Sequence, residues 1–379
     1  MEKEERMLSR EELREIAKMR GEGAFFVSVY LNVNPATNVK DNYVIHVKNM
    51  LKQISENMGK DVLKRINSDV EKIESYIISN KRIFKKGLVI LSSQELDFWK
   101  EFHVAVPLKN EIIVDNTPYI NPLLDVLDNY QRYAILLVGK ESARLFLVHL
   151  GEIEEYAEIS SSDVPGKHKK GGWFSLSEKS YERHTNYHVA LHLKDVLKQL
   201  ESFLSGEYVG RMLIGGSEEA VTKVKAMLPQ SISARIAGTF QAEMFANSKE
   251  ILEKVEPVLR SFEEKEEVET INALLTKVMK NENAVIGIEN VLNALQEGRI
   301  MKLIILKNYK TAGLSCINCG NPAIQEFISC PYCKGAMQQV TNIADLVAQK
   351  AVEQGAIVEV VSGNKKLEES GSIGAFLRF

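Results

Sequence analysis

The sequence predicts an α/β protein made of three consecutive domains. Its 379 residues exceed the usual length of one domain. Short apolar strands alternate with amphipathic helical stretches along the chain. The charge run Glu263–Glu267 is typical of a joint between domains. We therefore expect domains over residues 1–128, 129–262 and 263–379.

The first segment, residues 1–128, combines helices with strands. Apolar residues three and four positions apart predict helices, and runs rich in β-branched and aromatic residues predict strands. Ser9, followed by Glu11 and Glu12, is expected to cap the first helix. Lys40, Lys48 and Lys52 are interpreted as a solvated helix face, although they could also contact RNA. The predicted helices are Leu8–Arg20, Val44–Ile54 and Val62–Ile78, and the predicted strands are Phe25–Val33, Gly87–Ser92, Phe98–Pro107 and Glu111–Val114, with the last two as a hairpin.

The middle segment, residues 129–262, begins with three predicted strands that follow one another closely and are therefore expected to be antiparallel. A long helix, a fourth strand, a helix that begins after Ser217, a fifth strand and a final helix follow. This order predicts a mixed sheet of the ribonuclease H-like kind. The expected strands are Tyr133–Val138, Ala143–Leu150, Ile153–Ile159, Arg211–Ile214 and Ile232–Thr239, and the expected helices are Ser177–Leu204, Glu218–Leu228 and Ser248–Phe262.

One loop of the middle segment has an unusual composition. Three lysines and a histidine, Lys167, His168, Lys169 and Lys170, would attract phosphate. Gly171 and Gly172 allow the backbone to approach a partner closely, and Trp173 offers a face on which a base can stack. The alternative is a solvated hairpin whose lysines only maintain solubility.

Two other groups of side chains in the middle segment bear on metal chemistry. His184, His188 and His192 share one face of the predicted helix, a spacing that can bind zinc, but a polar seam is the favoured interpretation. Ribonuclease activity would require carboxylates converging on magnesium. Glu152, Glu154 and Glu155 lie on one strand and Asp163 on a loop, so they form no such set.

The last segment, residues 263–379, is predicted to be a compact α/β/α sandwich. Its helices and strands alternate. The predicted helices are Val268–Lys280, Ala284–Glu297 and Ile343–Gln354, and the predicted strands are Met301–Leu306, Ile357–Ser362 and Ile373–Phe379.

All four cysteines of the chain lie within residues 316–335. Cys316 and Cys319 form one C-x-x-C knuckle, and Cys330 and Cys333 form a second. Two such knuckles can close a tetrahedral site of four thiolates, which predicts a structural Zn²⁺ without catalytic chemistry. A redox pair is the rival interpretation, but the strand–turn–helix setting of that motif is absent from the sequence.

The composition excludes several classes of protein. Apolar residues make up 45% of the chain and charged residues 26%, as in ordinary globular proteins. Because the net charge is −3, nucleic-acid binding must depend on local patches. No apolar run reaches the roughly 18 residues of a membrane helix, and residues 1–14 lack the apolar core of a signal peptide. We therefore expect a cytoplasmic protein that binds neither membrane nor DNA.

Several strings of this sequence together resemble one family. They are Lys167–Trp173, Arg183–Tyr187, Leu213–Ser217, Gly355–Ser362 and Ser372–Phe379. In this order they resemble the class-1 peptide-chain release factors of archaea and eukaryotes and their relative Pelota, and most of all the bacterial and archaeal release-factor-like proteins. The two cysteine knuckles are similar to the zinc minidomain of archaeal members.

The resemblance implies a function on the ribosome. In the family a basic stretch followed by Gly-Gly-Gln enters the peptidyl-transferase centre and positions water against the peptidyl-tRNA ester. Gly171 and Gly172 match the two glycines, whereas Trp173 replaces the glutamine. Lys167, His168, Lys169, Lys170, Arg183 and His184 would then bind RNA.

Two functions follow from the resemblance. The first is termination-like peptide release or rescue of stalled ribosomes, with peptidyl-tRNA ester hydrolysis left open by the missing glutamine. The second is a noncatalytic ribosome- or RNA-binding adaptor. The expected partners are the ribosome, tRNA and rRNA, and a translational GTPase is a candidate. Thr37–Asp41 also resembles the family's Asn-Ile-Lys-Ser loop, with aspartate in place of serine.

Overall fold

The computed structural model describes residues 9–21, 23–38, 42–129, 132–160, 175–206, 209–325 and 327–379. They form two compact units. One unit joins residues 1–129 to residues 267–379, and the other contains residues 130–266. In the described part of the chain no helix is long and apolar enough to cross a membrane.

The first sheet is antiparallel throughout, with strand order β3-β2-β1-β4. Helices α2 and α3 pack on one face of it, where Val29, Leu88 and Ile90 contact Val47 and Ile73 in a buried cluster. The elements are α1 (Arg10–Ala17), β1 (Phe26–Asn32), α2 (Asn42–Asn57), α3 (Lys60–Ser79), β2 (Gly87–Ser93), β3 (Phe98–Val104), β4 (Glu111–Asp115) and α4 (Asn121–Asn129). The Ser9 hydroxyl accepts the N–H of Glu12, which confirms the predicted cap of α1.

The predicted hairpin between β3 and β4 is wrong. A short turn over Gln94–Leu96, with Asp97 at a φ of 48°, returns the chain directly from β2 to β3. β2 and β3, which follow each other in sequence, therefore pair with each other. β4 pairs with β1, so β3 and β4 are the outer strands and β1 and β2 the central ones.

The second sheet of this unit has strand order β10-β16-β11-β15. β11 and β15 are parallel, and the other neighbours are antiparallel. The elements are β10 (Ala284–Ile286), α9 (Ile288–Gln296), β11 (Ile300–Leu306), β12 (Gly313–Cys316), β13 (Pro322–Ala323), β14 (Met337–Val340), α10 (Ile343–Glu353), β15 (Ile357–Val361), α11 (Lys365–Glu369) and β16 (Ile373–Leu377). The helix predicted over Ala284–Glu297 therefore begins only at Ile288, because Ala284–Ile286 pairs with β16.

Side chains from the two ends of the chain meet within this unit. The buried amide of Gln349 on α10 donates to the carbonyl of Ala17 on α1 at 3.2 Å. The carboxylate of Asp128 on α4 accepts the N–H of Val360, on the edge strand β15, at 2.8 Å. The sequence analysis did not predict α4, and this helix covers an edge that would otherwise expose backbone groups.

The second unit contains the predicted mixed sheet, with strand order β7-β6-β5-β8-β9. β5, β8 and β9 are parallel, whereas β5, β6 and β7 are antiparallel. Buried clusters cover both faces of the sheet. The elements are β5 (Tyr133–Val138), β6 (Ser142–His149), β7 (Glu152–Ser160), α5 (Ser175–Gly206), β8 (Arg211–Gly216), α6 (Glu218–Met227), α7 (Gln230–Ser233), β9 (Ile236–Phe240) and α8 (Ser248–Met279), of which residues 267–279 belong to the other unit.

Helix α8 differs from its prediction. Two helices were expected, one on each side of the charge run Glu263–Glu267, but a single helix of 32 residues includes that run. Arg211 on β8 binds Glu263 at 3.0 Å, pairs with Glu266, and lies over the ring of Phe262. Arg211 on the neighbouring strand therefore neutralises part of the negative charge that the run brings into the helix.

Candidate functional site

Two similar turns hold the four cysteines. In the first, Cys316 ends β12, and its carbonyl accepts the N–H of Gly320 at 2.8 Å. In the second, the carbonyl of Cys330 accepts the N–H of Lys334 at 3.0 Å, and its N–H donates to Gly335 at 2.8 Å. Each turn therefore directs its pair of thiols toward the other pair.

The four Sγ atoms lie within 4.8 Å of one another. Sγ of Cys316 is 3.3 Å from Sγ of Cys333, and Sγ of Cys319 is 3.6 Å from Sγ of Cys330. Zn–S bonds of about 2.3 Å at tetrahedral angles require S–S distances of about 3.8 Å. The cluster therefore has the dimensions of a four-thiolate metal site.

The surroundings of the cluster also fit such a site. A Cβ on Gly335 would lie 3.1 Å from Sγ of Cys316, so only glycine leaves this space free. A hydrogen bond from the backbone of Gly335 lowers the pKa of Cys333 to about 6 and favours its thiolate. Burial raises the pKa of Cys319 to about 12, a cost that a bound dication would offset.

The basic loop lies outside the described residues. This holds for Lys167, His168, Lys169, Lys170, Gly171, Gly172 and Trp173. The backbone of Arg183 and His184 belongs to α5, but their side chains also lie outside the described part. The structure describes the two elements that flank the loop in sequence, β7 and α5.

The histidines of α5 occupy different environments. His192 is only 1% exposed and bonds the backbone of Ser142, whereas His188 is half-buried. Burial lowers the pKa of His192, so the neutral imidazole is favoured, and its Nε2 has no hydrogen-bond partner among the described residues. Within the described ranges, the cysteines are the one group of such side chains at ligand distance, and His188 and His192 belong to no second group.

One carboxylate of β7, that of Glu155, is engaged in an ion pair. Glu155 binds Arg144 through both oxygens at 2.7 Å, and this pairing lowers the pKa of Glu155. Arg144 also donates to the carbonyls of Met244 and Ala246. Among the described residues the carboxylates of β7 form no group of three at metal-ligand distance, and Asp163 lies outside the described residues.

The turn of Gly215, Gly216 and Ser217 before α6 has a structural role. The Ser217 hydroxyl accepts the N–H of Ala220 at 3.4 Å and caps the helix. Glu219 binds Lys140 at 2.7 Å and Lys223 at 2.9 Å, and these two bonds lower its pKa to about 2. A permanent carboxylate in this first turn repels phosphate.

The sequence analysis missed one cationic segment. Lys81, Arg82, Lys85 and Lys86 lie together between α3 and β2, and a count of basic residues over Asn80–Lys86 would have found them. The lysines that it did consider behave as a solvated face, since Lys48 and Lys52 are exposed on α2 and Lys52 lies 4.0 Å from Glu56. Lys40 lies outside the described residues.

Comparisons with known proteins reveal related sequences along almost the whole chain. The peptide chain release factor subunit 1 of Methanocaldococcus jannaschii is 25% identical over 97% of this chain and 96% of its own. The protein of that name from Archaeoglobus fulgidus is 24% identical over 97% and 96%. The model of bacterial archaeo-eukaryotic release factor family 10 matches residues 118–260. These relatives and the family match support a place for this chain in the release-factor superfamily.

Solved structures of the superfamily were also found. An archaeal translation termination factor covers 99% of this chain and all of its own, with 17% identity and a TM-score of 0.27. Pelota of Archaeoglobus fulgidus covers 77% of this chain and 79% of its own, with 16% identity and a TM-score of 0.35. The family match over residues 118–260 spans most of the unit formed by residues 130–266.

Proposed function

We propose that this protein is a ribosome-associated translation factor that acts in termination-like peptide release or in rescue of stalled ribosomes. The observation that carries this proposal is the similarity to archaeal release factor subunits over 97% of the chain. Similarity of that extent includes both units, so the proposal concerns the whole chain rather than one shared domain. The ribosome, tRNA and rRNA are the proposed partners, and a translational GTPase is a candidate for delivery.

The proposed working part is the basic loop at the peptidyl-transferase centre. Gly171 and Gly172 would give the loop its backbone shape. Lys167, His168, Lys169, Lys170, Arg183 and His184 would bind the phosphates of RNA. Hydrolysis of the peptidyl-tRNA ester would then depend on the placement of water and on hydrogen bonds to the developing charge.

A noncatalytic adaptor of the same fold is the second candidate. One observation favours it: the residue after Gly172 is Trp173, and no glutamine occurs between Gly166 and Leu197. An indole has a single N–H donor and no acceptor, so it cannot replace both functions of an amide toward water. In this case the loop would occupy the centre and Trp173 would stack on a base.

The four cysteines are proposed to hold a structural Zn²⁺. The thiolates of Cys316, Cys319, Cys330 and Cys333 would complete a tetrahedral site and leave no position for a substrate. The metal would supply folding energy to the small sheet of β12, β13 and β14.

Peptide release from ribosomes that carry peptidyl-tRNA tests the proposed function. Wild type would be compared with Gly172→Ala and with the control Gly210→Ala, whose added Cβ meets no atom within 4 Å. Release by wild type and by the control, but not by Gly172→Ala, is expected of the hydrolase. Co-sedimentation with ribosomes without release would establish the adaptor, and absence of both would contradict the proposal.

A further inference from the structure

Three loops meet at one end of the first sheet. The N–H of Val33, after β1, donates to the carbonyl of Lys86 at 2.9 Å. The N–H of Lys86 donates to Val104, at the end of β3, at 3.0 Å. The N–H of Asn32 donates to the side chain of Asn110 at 2.7 Å. Residues 32–38, 80–87 and 105–110 therefore form one surface at the ends of the strands, which we call the cationic edge.

All charged residues in these three segments are basic. They are Lys81, Arg82, Lys85, Lys86 and Lys109. None of the residues in the three segments is acidic, although the whole chain has a net charge of −3. Arg82, Lys86 and Lys109 are exposed. The nearest acidic residue after Lys109 is Glu111, the first residue of β4.

Phe84 anchors the cationic loop 80–87 to neighbouring aromatic side chains. Its ring centroid lies 5.5 Å from that of His103, 6.1 Å from that of Tyr76 and 6.3 Å from that of Tyr43. The hydroxyl of Tyr76 lies 3.1 Å from Nε2 of His103. Because the partly buried Phe84 holds the middle of the loop, less conformational entropy is lost when the basic side chains on each side of it bind a ligand.

The neighbouring loop adds polar groups in a fixed arrangement. The amide of Asn38 donates to the carbonyls of Asn32 at 3.0 Å and Asn34 at 3.2 Å. Thr37 is exposed beside it. Ile83 is the one large apolar side chain of loop 80–87 that is exposed, at 54%. The edge thus combines cations with hydroxyl and amide groups, without a broad apolar face.

We propose that this cationic edge binds the phosphate backbone of RNA. Adjacent lysine and arginine side chains suit a row of phosphates, and asparagine and threonine suit ribose hydroxyls. An anionic membrane surface is disfavoured because Ile83 alone would insert. That the bound RNA is ribosomal rests on the proposed function. The cationic edge would then give the first domain an RNA contact separate from that of the loop 167–173.

The test compares two variants with the same change of charge. In the first, Lys81, Arg82, Lys85 and Lys86 are all changed to Gln. In the control, Lys48, Lys52, Lys60 and Lys64, which are exposed on α2 and α3, are changed to Gln. Each full-length protein is titrated against purified ribosomes and against a 20-nucleotide poly(U) RNA at several salt concentrations.

The edge variant should bind both probes at least about 10-fold more weakly, and its salt slope should fall by about 2–3, since each phosphate contact on a single strand contributes about 0.7. The control should remain within about 2-fold of wild type. Equal losses in both variants, or wild-type affinity in the edge variant, would overturn the inference. Tight binding to phosphatidylserine vesicles that the edge substitutions abolish, without RNA binding, would overturn it as well.

The experiment distinguishes a failure of the proposed function from a failure of RNA binding by the cationic edge. If wild type binds poly(U) through the edge but does not bind ribosomes, the proposed function fails and RNA binding by the edge stands. If wild type binds ribosomes and the edge variant binds equally well, the edge inference fails alone. If wild type binds neither probe, both are overturned.

Discussion

Asp128 is a carboxylate whose charge state affects folding. Burial is the main cause that raises its pKa to about 6, and Glu359 adds to the rise, whereas the hydrogen bond from Val360 and the charges of Arg10 and Lys302 oppose it. The folded protein therefore holds this proton more tightly than the unfolded chain does. The stability that protonation contributes is present below about pH 4 and is lost as the pH rises through about 6.

Asp128→Asn should therefore raise Tm at pH 7.5 by about 2–5 °C and leave it nearly unchanged at pH 4.5. The amide oxygen still accepts the N–H of Val360, but the side chain no longer ionises at the sheet edge. Thermal unfolding of both proteins at the two pH values measures the difference. Asp125→Asn, which loses its 2.9 Å contact with Lys307, is the control and should show no gain. A lower Tm for Asp128→Asn at pH 7.5 would contradict this account.

Cys333 provides a test of the metal site. Wild type purified with zinc should carry about one Zn²⁺ per chain, and Cys333→Ser should lose most of it, because three thiolates close the site poorly. Elemental analysis measures the metal, and the same variant should have a lower Tm. Ser329→Ala, an exposed position in the same segment, is the control and should keep its zinc. Wild type without zinc would show that the cluster has another use.

At the scale of elements, local patterns predicted which residues form strands but not which strands pair. Phe98–Val104 and Glu111–Asp115 were both recognised as extended, yet their partners are β2 and β1. Six residues separate these two strands, a length that allows a hairpin. The pairing of the central strands β1 and β2 therefore determines which partners the two strands have. Ala284–Ile286 was assigned to a helix because three apolar residues fit both the helical and the strand periodicity. Their pairing with β16 makes them a strand.

The end of β8 is the element most sensitive to a single methyl group. Gly216 has a φ of 139°, and a Cβ there would lie 2.1 Å from the carbonyl oxygen of Val138 on the paired strand β5. Gly216→Ala should therefore destabilise the protein by about 3 kcal/mol or more. Gly210→Ala, near the start of the same strand, meets no atom within 4 Å and should change Tm little. Comparison of the two melting curves tests this, and equal Tm values would contradict it.

At the scale of the whole molecule, the sequence predicts three contiguous domains but not which distant residues meet. Gln349 and Ala17 are 332 positions apart, and no local pattern in either segment indicates their hydrogen bond. The cysteine cluster was predictable because its ligands lie within 18 residues and their chemistry is specific. For the edge formed by residues 32–38, 80–87 and 105–110, the four cations within Asn80–Lys86 were visible in the sequence, but the sheet pairing that brings Lys109 and the loop 32–38 beside them was not.

The first and last parts of the chain should associate when produced as separate polypeptides. Residues 1–129 and 267–379 belong to one compact unit, and Arg20 pairs with Glu353 within it. Co-expressed fragments with these bounds should elute together as a 1:1 complex in size-exclusion chromatography. Gln349→Ala should weaken the complex, since it removes one of the two hydrogen bonds that the carbonyl of Ala17 accepts and leaves only the one from Arg20. Separate elution of the two wild-type fragments would contradict the prediction.

The bond between Val360 and Asp128 also bears on the order of events during synthesis. The helix α4 leaves the ribosome more than 200 residues before β15, the strand edge that it covers. At roughly 5–20 residues per second, translation takes on the order of 10–50 s to supply that edge. During this interval the nascent chain presents the face of α4 without its cover. For that time Leu123 and Leu124 of α4, which are buried in the folded protein, lack their final cover.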